Sequence, residues 1–276
     1  MSFIIFGMML KSNSLVYISY MVFILRLLTR IDAFTLNGKL RRMYFSMAQN
    51  SSLRGLKKSA VFQYAVYSDQ NSSPLTLLSE KYGSDKGSAS IQNPYPWPPH
   101  TYANYYHVLF GRQRNKICRV FECGIGSADE SIKSNMSATG ATGASLRMWK
   151  EYFPNANIFG GDIDPKAIFQ EDRISTFLLD QTNPISIQDF WRSVGDGEFD
   201  IMIDDGLHSF EAGKTLFENS YYKLSSDGIY VIEDVNIFDV ARYKKYFDSL
   251  NFKVNYITLY FGKNITSDDC LITITH

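Results

Sequence analysis

Beyond residue 118 the apolar positions fall into short runs that alternate with stretches of helical period. Arg119–Ile125 is a compact apolar run ending in glycine, and a loop of Ser, Gly and Thr follows to Gly143. The pattern then predicts helix over Ala144–Tyr152, strand over Asn157–Ile163, a short helix after Pro165 and strand over Ser175–Leu179. It continues with helix Ile185–Val194, strand Phe199–Ile203, helix Ser209–Lys223, strand Gly228–Ile232 and helix Ile237–Leu250. Two strands close the chain, Phe252–Tyr260 and Cys270–Thr275. Strands separated by helices predict a parallel sheet covered on both faces. The last two strands are joined by only nine residues, too few for a crossover, so they pair antiparallel. The expected fold class is α/β: a doubly wound, seven-stranded, mostly parallel Rossmann-like sheet with an N-terminal helical extension.

Residues 1–74 read as a basic, apolar extension and linker, and residues 75–276 as the main domain. Within the latter, 75–117 reads as a lid segment ahead of the sheet and 118–276 as the core. The extension holds two apolar runs, Phe3–Leu10 and Leu15–Leu25, broken by Lys11-Ser12-Asn13-Ser14. A membrane-spanning helix needs about 20 predominantly apolar residues, which neither run supplies. No positive charge precedes Lys11, unlike a secretory signal. Three readings stay open for residues 1–46. One is a helix on an anionic membrane surface, with Arg26, Arg30, Lys39, Arg41 and Arg42 toward headgroups. Another is a helical extension capping the core or an oligomer interface. The third is a segment upstream of a translation start at Met43 or Met47. Residues 48–74, rich in Ser, Asn and Gln, read as a linker with a short helical patch.

Composition narrows the function classes. With 276 residues, 45% hydrophobic and 20% charged, the chain is a packed globule rather than a disordered one. Its zero net charge splits unevenly: residues 1–68 carry nine Lys/Arg against one acid, net +8, and the rest carry 19 against 27, net −8. An acidic body argues against nucleic acid as partner, because phosphate binding needs a basic face. The three cysteines, Cys118, Cys123 and Cys270, show neither zinc-ligand spacing nor a disulfide framework. Reduced thiols make the cytoplasm the expected compartment, with membrane association only under the first reading of residues 1–46.

Ligands of doubly wound sheets bind beyond the carboxyl ends of the strands, near the switch point. Those positions read Glu122-Cys123-Gly124-Ile125-Gly126, then Gly161-Asp162, Asp180-Gln181, Asp204-Asp205-Gly206-Leu207-His208 and Glu233-Asp234. Gly124 and Gly126 let backbone approach a ligand closely, although a tight structural turn explains them almost as well. The third glycine of a dinucleotide fingerprint is missing and no phosphate-binding Gly-Lys-Ser/Thr follows, which disfavours an NAD-dependent dehydrogenase. Asp162, about 40 residues on, suits a ribose diol, since an ionised carboxylate only accepts. Asp180-Gln181 suits an adenine amino group or, equally, caps a turn. Four acids at neighbouring strand ends repel one another unless a cation neutralises them. An all-oxygen set fits Mg²⁺, Mn²⁺ or Ca²⁺ better than zinc. Helix capping explains one acid per helix, not paired acids with a histidine. His208 is the group there suited to accept a proton near neutral pH.

At these residues the chain resembles class I S-adenosylmethionine-dependent methyltransferases, more narrowly the metal-dependent sugar O-methyltransferases of macrolide pathways and their relatives in polysaccharide clusters. The motifs are Leu78-Ser79-Glu80-Lys81-Tyr82-Gly83-Ser84-Asp85-Lys86, Glu122-Cys123-Gly124-Ile125-Gly126 and Ser145-Leu146-Arg147-Met148-Trp149. They continue with Gly161-Asp162-Ile163, Ile203-Asp204-Asp205-Gly206-Leu207-His208 and Tyr230-Val231-Ile232-Glu233-Asp234. The resemblance implies an S-adenosylmethionine site formed by Glu122, Gly124, Gly126, Asp162, Asp180, Gln181 and Asp204. It implies Mg²⁺ (or Mn²⁺) on Asp205, Glu233 and Asp234, and His208 as general base. The acceptor is then a sugar or nucleotide sugar in glycoside or surface polysaccharide biosynthesis, and a homo-oligomer is in keeping with such enzymes. The segment Tyr82–Tyr106 is expected to fold over the acceptor, with Asp85, Lys86, His100, Tyr102 and Tyr106 offering hydrogen bonds and stacking, and Asn93–Pro99 forming a rigid turn. The loop Ser127–Gly143 departs from the family by its length, and Leu207 stands where Ser is common. A catechol-type small-molecule O-methyltransferase and a catalytically silent cofactor-binding subunit remain the alternatives.

Overall fold

The computed structural model describes residues 62–67, 72–87, 95, 97, 100–261 and 270–276. The expectations for residues 1–46, and all but two residues of the turn Asn93–Pro99, lie outside that range. In chain order the elements are β1 (Phe62–Tyr67), α1 (Pro74–Tyr82), α2 (Tyr102–Phe110), β2 (Arg119–Cys123), α3 (Ala144–Tyr152) and β3 (Asn157–Asp162). Then come a 3-10 turn (Pro165–Ala167), β4 (Gln170–Glu171), β5 (Ile174–Leu178), α4 (Pro184–Val194), β6 (Phe199–Asp204) and α5 (Phe210–Ser220). A second 3-10 turn (Tyr221–Lys223), β7 (Leu224–Ile232), α6 (Val240–Phe247), β8 (Lys253–Phe261) and β9 (Cys270–Thr275) complete the chain.

The nine strands among the described residues form one sheet, in the order β1-β8-β9-β7-β6-β2-β3-β5-β4. The centre is parallel, and β8 and β9 form the expected antiparallel pair. Two strands exceed the seven read from the sequence. β4 is a two-residue strand antiparallel to β5. β1 runs parallel to β8 from inside the stretch read as linker, with Phe62 opposite Tyr256. Among the described residues no helix is long and apolar enough to cross a membrane.

Alternation along the strands separates two cores. Val120, Ile158, Ile201, Ile203 and Val231 face the side of Leu146, Trp149, Tyr106 and Phe110. Phe121, Met202, Tyr230 and Ile232 face the side of Phe190, Trp191, Leu216, Phe217, Tyr243 and Phe247. A sheet buried on both faces needs such apolar runs, and this two-sided burial fixes the register of every strand end. Local signals set the helix starts. Ser73 accepts from the Thr76 amide ahead of Pro74, and Asn183 accepts from the Ile185 amide ahead of Pro184. α1 ends on Gly83 in the left-handed region, so the chain turns at once into Ser84–Gly87.

Candidate active site

β2 is the switch point of the sheet: β3 and β5 extend to one side of it, β6 and β7 to the other. Beyond the carboxyl ends of β2 and β6 lies a cavity of about 550 Å³, a size that suits a small organic ligand. Gly124, Gly126, Asp162, Asp180, Gln181, Asp205, His208 and Asp234 are on its wall. Lys86, Trp97 and His100 close it from the segment before β2, and Ile132–Met136 of the long loop close it from above the glycines.

The two glycines are required where they stand. Gly124 has φ +83, and a Cβ there would lie 2.0 Å from the carbonyl oxygen of Asp205. Gly126 has φ +91, and a Cβ there would meet Met136 Sδ at 1.6 Å. The glycine turn therefore packs directly on the residue that follows β6. Asp162 turns into the cavity with both oxygens anchored: Oδ2 accepts from the Ile125 amide (3.0 Å) and Oδ1 from the Asp164 amide (2.9 Å). Each oxygen keeps a lone pair for a ligand hydroxyl. Burial raises its carboxyl above the ordinary range.

Asp180 and Gln181 are already engaged. Asp180 Oδ1 accepts from the Thr182 amide and hydroxyl, the turn cap weighed from the sequence. Gln181 Nε2 donates to Asp204 Oδ1 (3.0 Å) and its Oε1 accepts from the Leu207 amide (2.5 Å), so this amide ties two strand ends together. Asp204 sits beneath the cavity wall, 3% exposed. Burial pushes its carboxyl up to about 6, against the opposing hydrogen bond from Gln181. A buried carboxyl raised in this way costs stability as pH climbs from its unfolded value toward 6. With chelator present, Asp204→Asn is therefore expected to gain on the parent by on the order of 3 kcal/mol between pH 4 and pH 8. Urea unfolding at the two pH values measures this, and an unchanged difference refutes it.

The acids divide into an inner and an outer group. Glu122 is fully buried and does not reach the cavity: Oε2 accepts from Trp149 Nε1 (2.9 Å), and Oε1 lies 3.1 Å from Lys86 Nζ. Glu233, 1% exposed, is likewise turned away, its two oxygens bonded to Lys86 Nζ and the Tyr106 hydroxyl at 2.5 Å each. Burial, with the charges of Glu122 and Asp234 adding and Lys86 opposing, pushes Glu233 up to about 7. Burial would also strip the proton from Lys86, but Asp205, Glu233, Glu122 and Asp85 outweigh it and hold the ammonium well above its usual range.

The outer group is Asp205, His208 and Asp234, each offering one ligand atom within 4.8 Å of the others. Glu233, expected with Asp205 and Asp234 in the metal set, bonds Lys86 and Tyr106 instead of joining this cluster. Asp234 lies between two imidazoles, with His100 Nε2 and His208 Nδ1 each 3.6 Å from one of its oxygens, and it also accepts from the Tyr102 hydroxyl. Burial alone would raise its carboxyl, yet His100, His208 and Tyr102 bring it below the ordinary value. His208 (φ +52) and Asp234 (φ +49) both stand in the left-handed region, a backbone state that costs on the order of 1–3 kcal/mol and concentrates at functional sites.

Lys86, Tyr102 and Tyr106, read as offering hydrogen bonds and stacking to the acceptor, bond the acids, and Lys86 also lines the cavity. The strand-end acids signalled that a cation was needed among them, but not which residue supplies it.

No family model matches the chain. It is 35% identical over 161 residues to a rhamnosyl tetracenomycin-C 2'-O-methyltransferase of Streptomyces olivaceus, covering 58% of this chain and 37% of the relative. It is 35% identical over 136 residues to the mycinamicin VI 2''-O-methyltransferase of Micromonospora griseorubida, covering 49% and 32%. The resemblance to sugar O-methyltransferases of class I, S-adenosylmethionine-dependent type holds. The chain spans about a third of the length of these sugar O-methyltransferases. A solved methyltransferase of the mycinamycin pathway, in complex with Mg and SAH, is 32% identical at a TM-score of 0.48, covering 59% of this chain and 37% of that one.

Proposed function

We propose that this chain is an S-adenosylmethionine- and magnesium-dependent O-methyltransferase acting on the hydroxyl of a sugar or nucleotide sugar, in glycoside or surface polysaccharide biosynthesis. The observation that carries the reading is the packing of a glycine turn against the residue that begins a carboxylate–histidine cluster, inside one cavity. Gly124 and Gly126 admit the cofactor to the main chain, and Asp162 offers its remaining lone pairs to the ribose hydroxyls. Magnesium is a hard ion that takes oxygen ligands, so of the three outer groups Asp205 and Asp234 hold it and His208 stays free for proton transfer. When bound, the ion lowers the pKa of the acceptor hydroxyl and the cofactor presents an electrophilic methyl group. His208 takes the hydroxyl proton on Nε2, since Nδ1 is directed at Asp234, whose charge stabilises the imidazolium formed. Trp97, His100 and Ile132–Met136 narrow the cavity and keep water from the cofactor.

The test is mass spectrometry of nucleotide sugars and glycosides incubated with the chain, S-adenosylmethionine and magnesium. A singly methylated sugar that disappears with EDTA is expected. Methylation of catechols alone would move the assignment to the catechol type. Cofactor binding by calorimetry without any product would make the chain a silent cofactor-binding subunit.

A further inference from the structure

Lys86 has 2% of its side chain exposed, yet it belongs to neither core and to no strand. Its ammonium meets three carboxylates from the ends of β2, β6 and β7: Glu122 at 3.1 Å, Asp205 at 2.5 Å and Glu233 at 2.5 Å. The outward oxygens of the two inner acids are taken by Trp149 and Tyr106. The lysine is also fixed at its backbone, where its carbonyl accepts from the Ala103 amide at 2.7 Å and the Ser84 carbonyl accepts from the Ser79 hydroxyl at 2.8 Å. A charge this buried persists only when paired, and two buried carboxylates beside a half-buried third persist only with a cation among them.

We propose that Lys86 is the resident counter-ion of the site. It neutralises the inner carboxylates, so the fold keeps its acids buried whether or not a divalent ion is bound. The experiment below does not depend on the metal reading above.

The full chain and its Lys86→Met variant are melted in EDTA and in millimolar magnesium, with neither cofactor nor acceptor present. In EDTA the variant is expected to melt roughly 10 °C below the parent. Magnesium, entering the vacated position, is expected to recover about half of that loss, an effect larger than any it has on the parent. Adding Glu233→Gln, which removes one negative charge, should recover stability in EDTA. If Lys86→Met alone is insoluble, the double variant decides: a folded protein indifferent to EDTA supports the counter-ion role, and an insoluble one overturns it. A loss that neither magnesium nor Glu233→Gln recovers assigns Lys86 to packing and overturns the proposal, as does a variant as stable as the parent in EDTA. A chain that methylates nothing would give the same melting curves, so failure here and failure of the methyltransferase reading are distinct results.

Discussion

Gly124→Ala is expected to abolish S-adenosylmethionine binding and to lower the melting temperature by several degrees. Left-handed backbone alone costs an L-residue about 1–2 kcal/mol. The larger effect is steric, because the added methyl would lie 2.0 Å from the Asp205 carbonyl oxygen, an atom of main chain that cannot rotate aside. Asp205 also donates its amide to the Cys123 carbonyl (2.9 Å), so a displaced turn drags the Asp205 carboxylate with it. Gly195→Ala is a control for sterics: at φ +81 and ψ −163 its backbone also favours glycine, but nothing lies within 4 Å of the added atom. It should show the strain without the loss of binding. Calorimetry on both variants reads the comparison, and normal cofactor affinity in Gly124→Ala would break the link between the turn and the acid.

The second large effect concerns proton transfer. Removing His208 is expected to lower kcat about 10²–10⁴-fold, the usual worth of a positioned acid–base group, while cofactor affinity stays within a factor of two or so of the parent's. His208→Asn is the cleaner variant, since Asn tolerates the left-handed backbone at this position. It preserves the turn and removes the base. Both His208→Ala and His208→Asn should lose turnover alike. Recovery in the Asn variant would assign the residue to the turn rather than to the proton.

The central strands and the closing hairpin were legible because two-sided burial writes them as apolar runs that stop at glycine or acid. The candidate ligands were only half legible, for a geometric reason. Successive residues at a strand end point to opposite sides, so in Asp204-Asp205 and Glu233-Asp234 one member of each pair turns under the sheet and the other into the cavity. Sequence shows the pair and not the choice. β1 was hidden because its alternation, Phe62-Gln63-Tyr64-Ala65-Val66-Tyr67, is flanked by polar residues and its partner β8 lies near the other end of the chain. Lys86 was hidden in the same way: its hydrogen-bonded acids are 119 and 147 positions away, and only the fold brings an isolated basic residue among them.

Asp162 carries one further consequence. With each oxygen pinned to a main-chain amide, this carboxylate has lost the freedom to swing aside for an ill-matched guest. On the proposed cofactor reading, a nucleoside with free vicinal alcohols would be accepted there, whereas one phosphorylated on the same edge would bring a second negative group against a stationary one. Discrimination between plain and phosphorylated ribosides would then be fixed before any ligand arrives.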